Sequence, residues 1–299
     1  MDDGLLVGID AGGTKILAVA VDRREPRRVL ARHVVPTPDT ADAFVTAVVE
    51  IARTVGVVGR LGVGLPGLVD AEGVLRAAPH LGALVDTPIA DVVARALGIG
   101  HVAIDNDANC ALRAEMAIGV ARGCDDVVLV TFGTGIGGAI AIGGVVRSGA
   151  HGFAGEPGHM LVDPAGPLCP CGRRGCWERY ASGTGMVALA AAAGLSVAAG
   201  EEVVALARHG DPVATAVVDR FARWVGEGLA SLADILDPAL MVIGGGLSAD
   251  ADLWIDTVRA TVATETLGGA CRSVPVEVAQ AGPEAGAIGA ALLAGERNP

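Results

Sequence analysis

Residues 127–146 read VVLVTFGTGIGGAIAIGGVV, twenty residues without a charge. Their length meets the rule for a membrane-spanning helix, and GTGIGG at 133–138 matches the G-x-G-x-x-G turn of dinucleotide-binding folds. Neither assignment fits the detail. Six of the twenty residues are glycine, and a GTG turn divides the run into two apolar arms of strand length and β-branched content. A dinucleotide turn leads directly into a helix whose amino end faces the pyrophosphate, whereas AIAIGGVV at 139–146 is β-rich. The stretch therefore reads as a buried hairpin: strand 127–132, Gly-rich turn 133–138, strand 139–146.

The same piece stands at the amino end, where LLVGID (5–10) and KILAVAVD (15–22) flank the turn AGGT (11–14). AGGTK is not a P-loop, in which the Lys precedes the Thr. Two such units point to an internal repeat whose turn N–H groups and Thr hydroxyls can form anion-binding nests. Between them, the spacing of Phe44, Ala47, Val48, Ile51 and Val55 predicts a helix from Asp39 to Gly56. RLGVGLPG (60–67) reads as a strand, 88–97 as a helix, 101–105 as a strand and 108–120 as a helix. Further on, helices are expected over 183–193, 201–209 and 211–236, then strand 240–243 running into GGGL, a helix from Asp252, strand 274–279 and helix 284–294. This alternation predicts an α/β protein with mixed sheets covered by helices, and 299 residues suffice for two domains.

Between the two acids Glu156 and Glu178 the chain runs EPGHMLVDPAGPLCPCGRRGCWE, which places His159, Cys169, Cys171 and Cys176 within eighteen residues. One nitrogen and three sulfurs are the ligand set of tetrahedral zinc. Four protein ligands close the shell and leave no position for a catalytic water, so the metal is read as structural, holding Glu156, His159 and Glu178 in place. The other cysteines, Cys110, Cys124 and Cys271, are scattered and read as inert.

A formal charge of −12 with dispersed acids argues against a nucleic-acid surface, which needs clustered Lys and Arg. The amino end, MDDGLLVGID, has no basic n-region or cleavage site, so a cytoplasmic location is expected, where cysteines serve as thiols or metal ligands. Only 3% of residues are aromatic, so the core must be built from Val, Ala, Leu and Ile, with 44 glycines bringing backbones close.

IDAGGTK (9–15), IDNDAN (104–109), VTFGTGIGG (130–138), the EPGH and CPCGRRGCWE run and IGGGL (243–247) resemble, in this order and over nearly the whole chain, the sugar kinases of the ROK family. Nearest in appearance are the actinobacterial ATP-dependent glucokinases. The resemblance implies an actin-like ATPase (ribonuclease H-like) fold of two lobes with a central cleft, expected here as 1–106 plus 285–299 and 107–284. It further implies transfer of phosphate from ATP to the 6-hydroxyl of glucose with Mg²⁺ present, and a homodimer or tetramer.

Asp107, where a strand ends and a helix begins, is the candidate general base; the helix dipole favours its carboxylate form, and the competing role is a plain helix cap. By resemblance Gly67, Asn106, Glu156, His159 and Glu178 join Asp107 at the sugar, with one ring nitrogen of His159 on zinc and the other towards the sugar. Asp10 is expected to hold Mg²⁺; Gly12, Gly13, Thr14, Lys15, Thr131, Gly133, Thr134 and Gly135 to surround phosphates; and Gly244, Gly245 and Gly246 to face adenosine. The competing reading of Lys15 is a solvated charge at the start of a strand. Two departures, PHL at 79–81 in place of the usual PNL and Ala139 in place of a third glycine, keep other acceptors open: mannose, fructose, an N-acetyl or amino sugar such as kanosamine, or a cyclitol. A sugar-sensing transcriptional regulator is the rival from another class, disfavoured because the first hairpin begins at Leu5.

Overall fold

The computed structural model describes residues 4–78 and 81–296. Pro79 and His80, where the sequence departs from PNL, lie outside the described residues. In chain order the elements are β1 (Leu5–Ala11), β2 (Lys15–Asp22), β3 (Val29–Pro36), α1 (Ala41–Thr54), β4 (Arg60–Leu65), β5 (Leu68–Val69), β6 (Leu75–Ala77), α2 (Ile89–Leu97), β7 (His101–Asn106), α3 (Asp107–Ile118), β8 (Val127–Phe132), β9 (Ile136–Ile142), β10 (Val145–Val146), α4 (Glu178–Ala181), α5 (Gly183–Ala192), α6 (Gly200–Arg208), α7 (Pro212–Leu236), β11 (Leu240–Gly244), α8 (Ile255–Glu265), β12 (Val276–Val278) and α9 (Ala285–Gly295).

Two units result. The first comprises residues through Gly123, Val145–Ala154 and those from Gln280 onward; the second comprises Cys124–Gly144 and Gly155–Ala279. The division expected at 106/107 falls instead after α3. The reason is packing: Ala114 and Ile118 of α3 join Leu6, Leu17, Val19, Ile288 and Ala291 in one apolar cluster of the first unit. The re-entry at Gln280 precedes the expected 285, because the N–H groups of Gln280 and Ala281 donate to the buried Glu115 carboxylate of α3 at 2.8 and 2.7 Å.

In the first unit the strand order is β3-β2-β1-β4-β7. β1 and β2 form the antiparallel hairpin expected from the sequence, and β4 and β7 add in parallel. Alternation puts Val7, Ile9, Ile16 and Ala18 with Phe44, Val48 and Ile51 of α1 on one face, and Leu6, Leu17 and Val19 with α3 and α9 on the other. Burial on both faces explains why these strands are apolar nearly throughout. The Ala/Gly-rich α9 lies so close to the sheet that a Cβ added at Gly8 or Gly62 would come within 2.1 and 1.7 Å of its backbone oxygens.

The second unit repeats the plan. β8 and β9 are antiparallel, and β11 and β12 add in parallel beside β8. Residues 127–146 are therefore strands, and no helix among the described residues is long and apolar enough to cross a membrane. The turn is shorter than 133–138, since β9 begins at Ile136 and pairs Gly137 with Thr131 and Gly138 with Val130. This core gathers aromatic rings: Phe132 meets Trp177 edge-on at 5.7 Å and Trp254 at 6.2 Å, and Trp254 meets Phe221 at 5.6 Å. Helix α7 starts on Asp211, whose carboxylate accepts from the N–H groups of Val213 and Ala214, both at 2.9 Å, with Pro212 at the first helical position.

Candidate active site

In the first unit the predicted residues cluster at the carboxyl ends of parallel strands, where open α/β sheets bind ligands. Register places Asp10 beside Gly64 and Gly64 beside Asp105, so Asp10 and the 105–107 segment end the two strands that flank β4. Asn106 is the cap of α3. Its Oδ1 accepts from the N–H of Ala108 at 2.8 Å and of Asn109 at 3.4 Å, and its Nδ2 donates to the Gly67 carbonyl at 3.0 Å. The cap role weighed for Asp107 thus falls to its neighbour. Asp107 is the first helical residue, half-buried, with Oδ1 2.8 Å from the Ala108 N–H. Gly67 is held at φ +107, a conformation that demands glycine.

Beneath this turn lies a network not singled out from the sequence. Buried Asp105 accepts from the Asn106 N–H at 2.8 Å, from Asn109 Nδ2 at 2.7 Å and from Arg113 Nη1 at 2.6 Å. Asn109 and Arg113 recur four residues apart along α3, so they reach back to the same carboxylate. The signal was available as the Asp, Asn, Arg spacing, but a helix face of that kind is usually solvated.

The first turn is closed by the Gly12 N–H donating to the Lys15 carbonyl at 3.0 Å, while Thr37 takes the Gly12 carbonyl with its hydroxyl at 2.6 Å and the Thr14 carbonyl with its N–H at 3.1 Å. Gly13, Thr14 and Lys15 are exposed, and Lys15 opens β2. Burial pushes the Asp10 carboxyl above the usual carboxylate range, partly offset by the charge of Lys15. A Cβ added at Gly286, in the first turn of α9, would lie 2.6 Å from Asp10 Oδ2.

In the second unit three of the predicted groups assemble. One is the candidate metal cluster: one donor atom each of His159, Cys169, Cys171 and Cys176 lies within 4.8 Å of the others. His159 Nδ1 is 3.9 Å from Cys169 Sγ, and the Cys171 and Cys176 sulfurs are 3.5 Å apart. Sulfurs about 2.3 Å from a tetrahedral zinc are separated by roughly 3.7 Å, so the donor set and spacing fit that ion. Glu178 adjoins the cluster, its Oε1 accepting from the Cys169 thiol at 3.0 Å and lying 3.9 Å from His159 Nδ1. Glu156 precedes the short 3-10 turn Pro157–His159, and burial together with the Glu178 charge pushes its carboxyl up to about 7.

The second group is the Gly turn, in which the Gly133 N–H donates to the Gly135 carbonyl at 3.0 Å. The third is the end of β11, where Gly244 pairs with Thr131 and Gly245, at φ +83, leaves no room for a Cβ against the Phe132 backbone. Thr131, Gly133–Gly135 and Gly244–Gly246 therefore occupy the ends of adjacent strands. Two further residues missed from the sequence brace them. Ser182, fully buried, caps α5 and donates to the Glu178 carbonyl at 2.6 Å; the Thr184 hydroxyl donates to the Thr134 carbonyl at 3.0 Å. The signal was the Ser-Gly-Thr-Gly start of a helix. Cys110, Cys124 and Cys271 stay outside the metal cluster.

The ROK family model matches residues 6–297. The chain is 39% identical over 320 residues to a glucokinase of Streptomyces coelicolor, covering 99% of each, and 35% identical over 292 residues to an N-acetylmannosamine kinase of Citrobacter koseri, covering 96% of this chain and 98% of that one. Among solved structures, a ROK family glucokinase from Streptomyces griseus in complex with glucose and AMPPNP aligns with a TM-score of 0.82 at 38% identity, covering 97% of this chain and 99% of that one. The α/β architecture is accordingly that of the actin-like ATPase sugar kinases. Matched over its length in sequence and in fold, this chain belongs to the ROK family.

Proposed function

We propose that this protein is an ATP-dependent hexokinase that phosphorylates the 6-hydroxyl of glucose. The observation that carries the proposal is the 39% identity to a glucokinase across 99% of both chains. In this reading Asp107 accepts the proton of the 6-hydroxyl as its oxygen attacks the γ-phosphorus of ATP. The bond from that phosphorus to the bridging oxygen breaks, and ADP leaves. The position of Asp107 at the amino end of α3, behind which Asp105 is neutralised by Arg113, supports this role.

Gly67, Asn106, Glu156, His159 and Glu178 are proposed to bind the sugar hydroxyls, each of which both donates and accepts. Asp10 offers a hard carboxylate oxygen to Mg²⁺, which when bound neutralises phosphate charge. Gly12, Gly13, Thr14, Lys15, Thr131, Gly133, Thr134 and Gly135 are assigned to the phosphates, and Gly244–Gly246 to adenosine. His159, Cys169, Cys171 and Cys176 would hold zinc, which supplies a rigid crosslink for a loop with little regular structure. Thiolate ligands of this kind suit a reducing, cytoplasmic location. A homodimer or tetramer, as the family resemblance implies, is checked by light scattering.

The N-acetylmannosamine kinase relative favours a second acceptor class, the N-acetylated hexoses. A coupled ADP-release screen with Mg²⁺ over glucose, mannose, fructose, N-acetylmannosamine, glucosamine and kanosamine decides. The expected result is the highest kcat/KM for glucose. Preference for N-acetylmannosamine would transfer the assignment to the second acceptor, and no turnover of any sugar would end the hexokinase proposal.

A further inference from the structure

Gly135 belongs to the turn assigned above to phosphates, yet its lack of a side chain has another cause. Its φ is not in the left-handed region, so its backbone conformation is open to any residue. An added Cβ would meet a single neighbouring atom within 4 Å, Oε2 of Glu178, at 2.9 Å. At Gly133, two residues earlier, an added Cβ would meet no protein atom within 4 Å. The two glycines of one turn are therefore distinct: the protein's own atoms account for Gly135 and not for Gly133.

The surroundings make the contact between Gly135 and Glu178 firm. Phe132, just before the turn, packs edge-on against Trp177, just before Glu178, with ring centroids 5.7 Å apart. The Trp177 indole N–H donates to the Trp224 carbonyl at 2.7 Å, which fixes the ring on α7. The Gly133 carbonyl accepts from the Gly183 N–H at 2.7 Å, and the Thr134 carbonyl from the Thr184 hydroxyl at 3.0 Å, so the turn is tied to the segment directly after α4. The other oxygen of Glu178 lies against Cys169 and His159 of the metal cluster. The carboxylate is thus confined between the cluster on one side and the α-carbon of Gly135 on the other.

We infer that Gly135 is a positioning residue for Glu178: its missing side chain sets where the sugar-binding carboxylate stands, and so it governs sugar affinity more than nucleotide affinity. The inference rests on the proposed sugar role of Glu178. A side chain at 135 would displace the flexible end of Glu178, which moves at little cost to the fold, so the effect should appear in binding.

The test compares Gly135→Ala, Gly133→Ala, Glu178→Asp and the double variant Gly135→Ala/Glu178→Asp, with glucose binding measured by calorimetry without nucleotide and KM values measured for both substrates. Zinc content is measured in each variant. Gly135→Ala should weaken glucose binding about tenfold, equivalent to ~1.4 kcal/mol, with a smaller rise in KM for ATP and zinc retained. Gly133→Ala should show the opposite split. In the double variant the shorter acid regains room, so adding Glu178→Asp to Gly135→Ala should restore part of the lost affinity. The inference is overturned if Gly135→Ala raises KM for ATP alone, if the two substitutions add independently, or if Gly135→Ala loses zinc or fails to fold both with and without Glu178→Asp. Wild-type protein that binds glucose without turning it over would sink the kinase assignment and leave the inference standing. Glucose binding unaffected by Gly135→Ala would sink the inference whatever the turnover.

Discussion

In the first unit the carboxylates Asp10, Asp105 and Asp107 stand at the ends of β1 and β7 or on the first residue of α3. In the second unit the same strand plan ends in Thr131 and Gly244, and the acids Glu156 and Glu178 come from a segment outside the sheet. The difference is one of support. Asp105 is fixed by three hydrogen bonds from its own strand and helix, whereas the loop bearing the candidate metal ligands belongs to no named strand and is held by the isolated bridges Leu161↔Cys176 and Leu168↔Arg174 and by turn hydrogen bonds such as that from the Cys169 N–H to the Arg173 carbonyl at 2.8 Å. A repeated fold can therefore hold its acids in unlike ways: built into the sheet in one unit, and carried by a segment outside the sheet in the other.

Removing the crosslink should test that contrast most severely. Structural zinc supplies roughly 10–16 kcal/mol of apparent binding energy in small peptides, so Cys171→Ala should abolish stoichiometric zinc, expose the 160–176 loop to protease and weaken glucose binding. Wild-type protein without zinc by metal analysis, or a variant that binds glucose normally, would erase the contrast. Asp107→Ala is the counterpart in the first unit, expected to lower kcat by about 10²- to 10⁴-fold with zinc content and thermal stability preserved. Activity within a few-fold of wild type would move the base elsewhere.

Trp177→Ala should remove the anchor of Glu178 and cost about 3–5 kcal/mol, visible as a lower urea midpoint accompanied by weaker sugar binding. An unchanged midpoint would show that the loop needs the metal alone. The smallest effect concerns Asp10. Its pKa is raised in the folded state, so its ionised form lowers stability above its folded pKa, and that penalty vanishes as pH falls below the unfolded value of 3.8. Asp10→Asn should therefore raise Tm slightly at neutral pH and not at pH 3, while losing Mg²⁺-dependent turnover. A lower Tm at neutral pH would show Asp10 to be a structural acid.

Much of this was legible because the signals are local. Both hairpins follow from apolar arms around Gly-rich turns, and the four candidate metal ligands sit in one short run. Asp107 lies where a strand pattern gives way to a helical one. What escaped depends on contacts between distant residues. β3 was missed because it is an edge strand in which the consecutive Arg32, His33 and Val34 are all exposed, which blurs the apolar alternation. The turn after β8 was drawn too long because Gly137 and Gly138 look like turn residues. They are strand residues, and a Cβ at Gly138 would lie 2.6 Å from Pro157. The boundary of the first unit moved because α3 is held by α9 and, through its own Glu115, by the N–H groups of Gln280 and Ala281, partners far away in the chain.

By itself the amino-acid sequence determined the α/β class, the two repeated hairpins, the grouping of one His and three Cys in a short run and the start of the helix that bears Asp107. These depend on periodicity, turn chemistry and short spacing, all properties of neighbouring residues. Only the tertiary structure decided which unit α3 joins, that Asn106 rather than Asp107 caps it, and that Gly135 lies against Glu178. The first and last are set by close packing between segments far apart in the chain, and the cap by the orientation of the Asn106 amide, which at the same time donates to the distant Gly67 carbonyl.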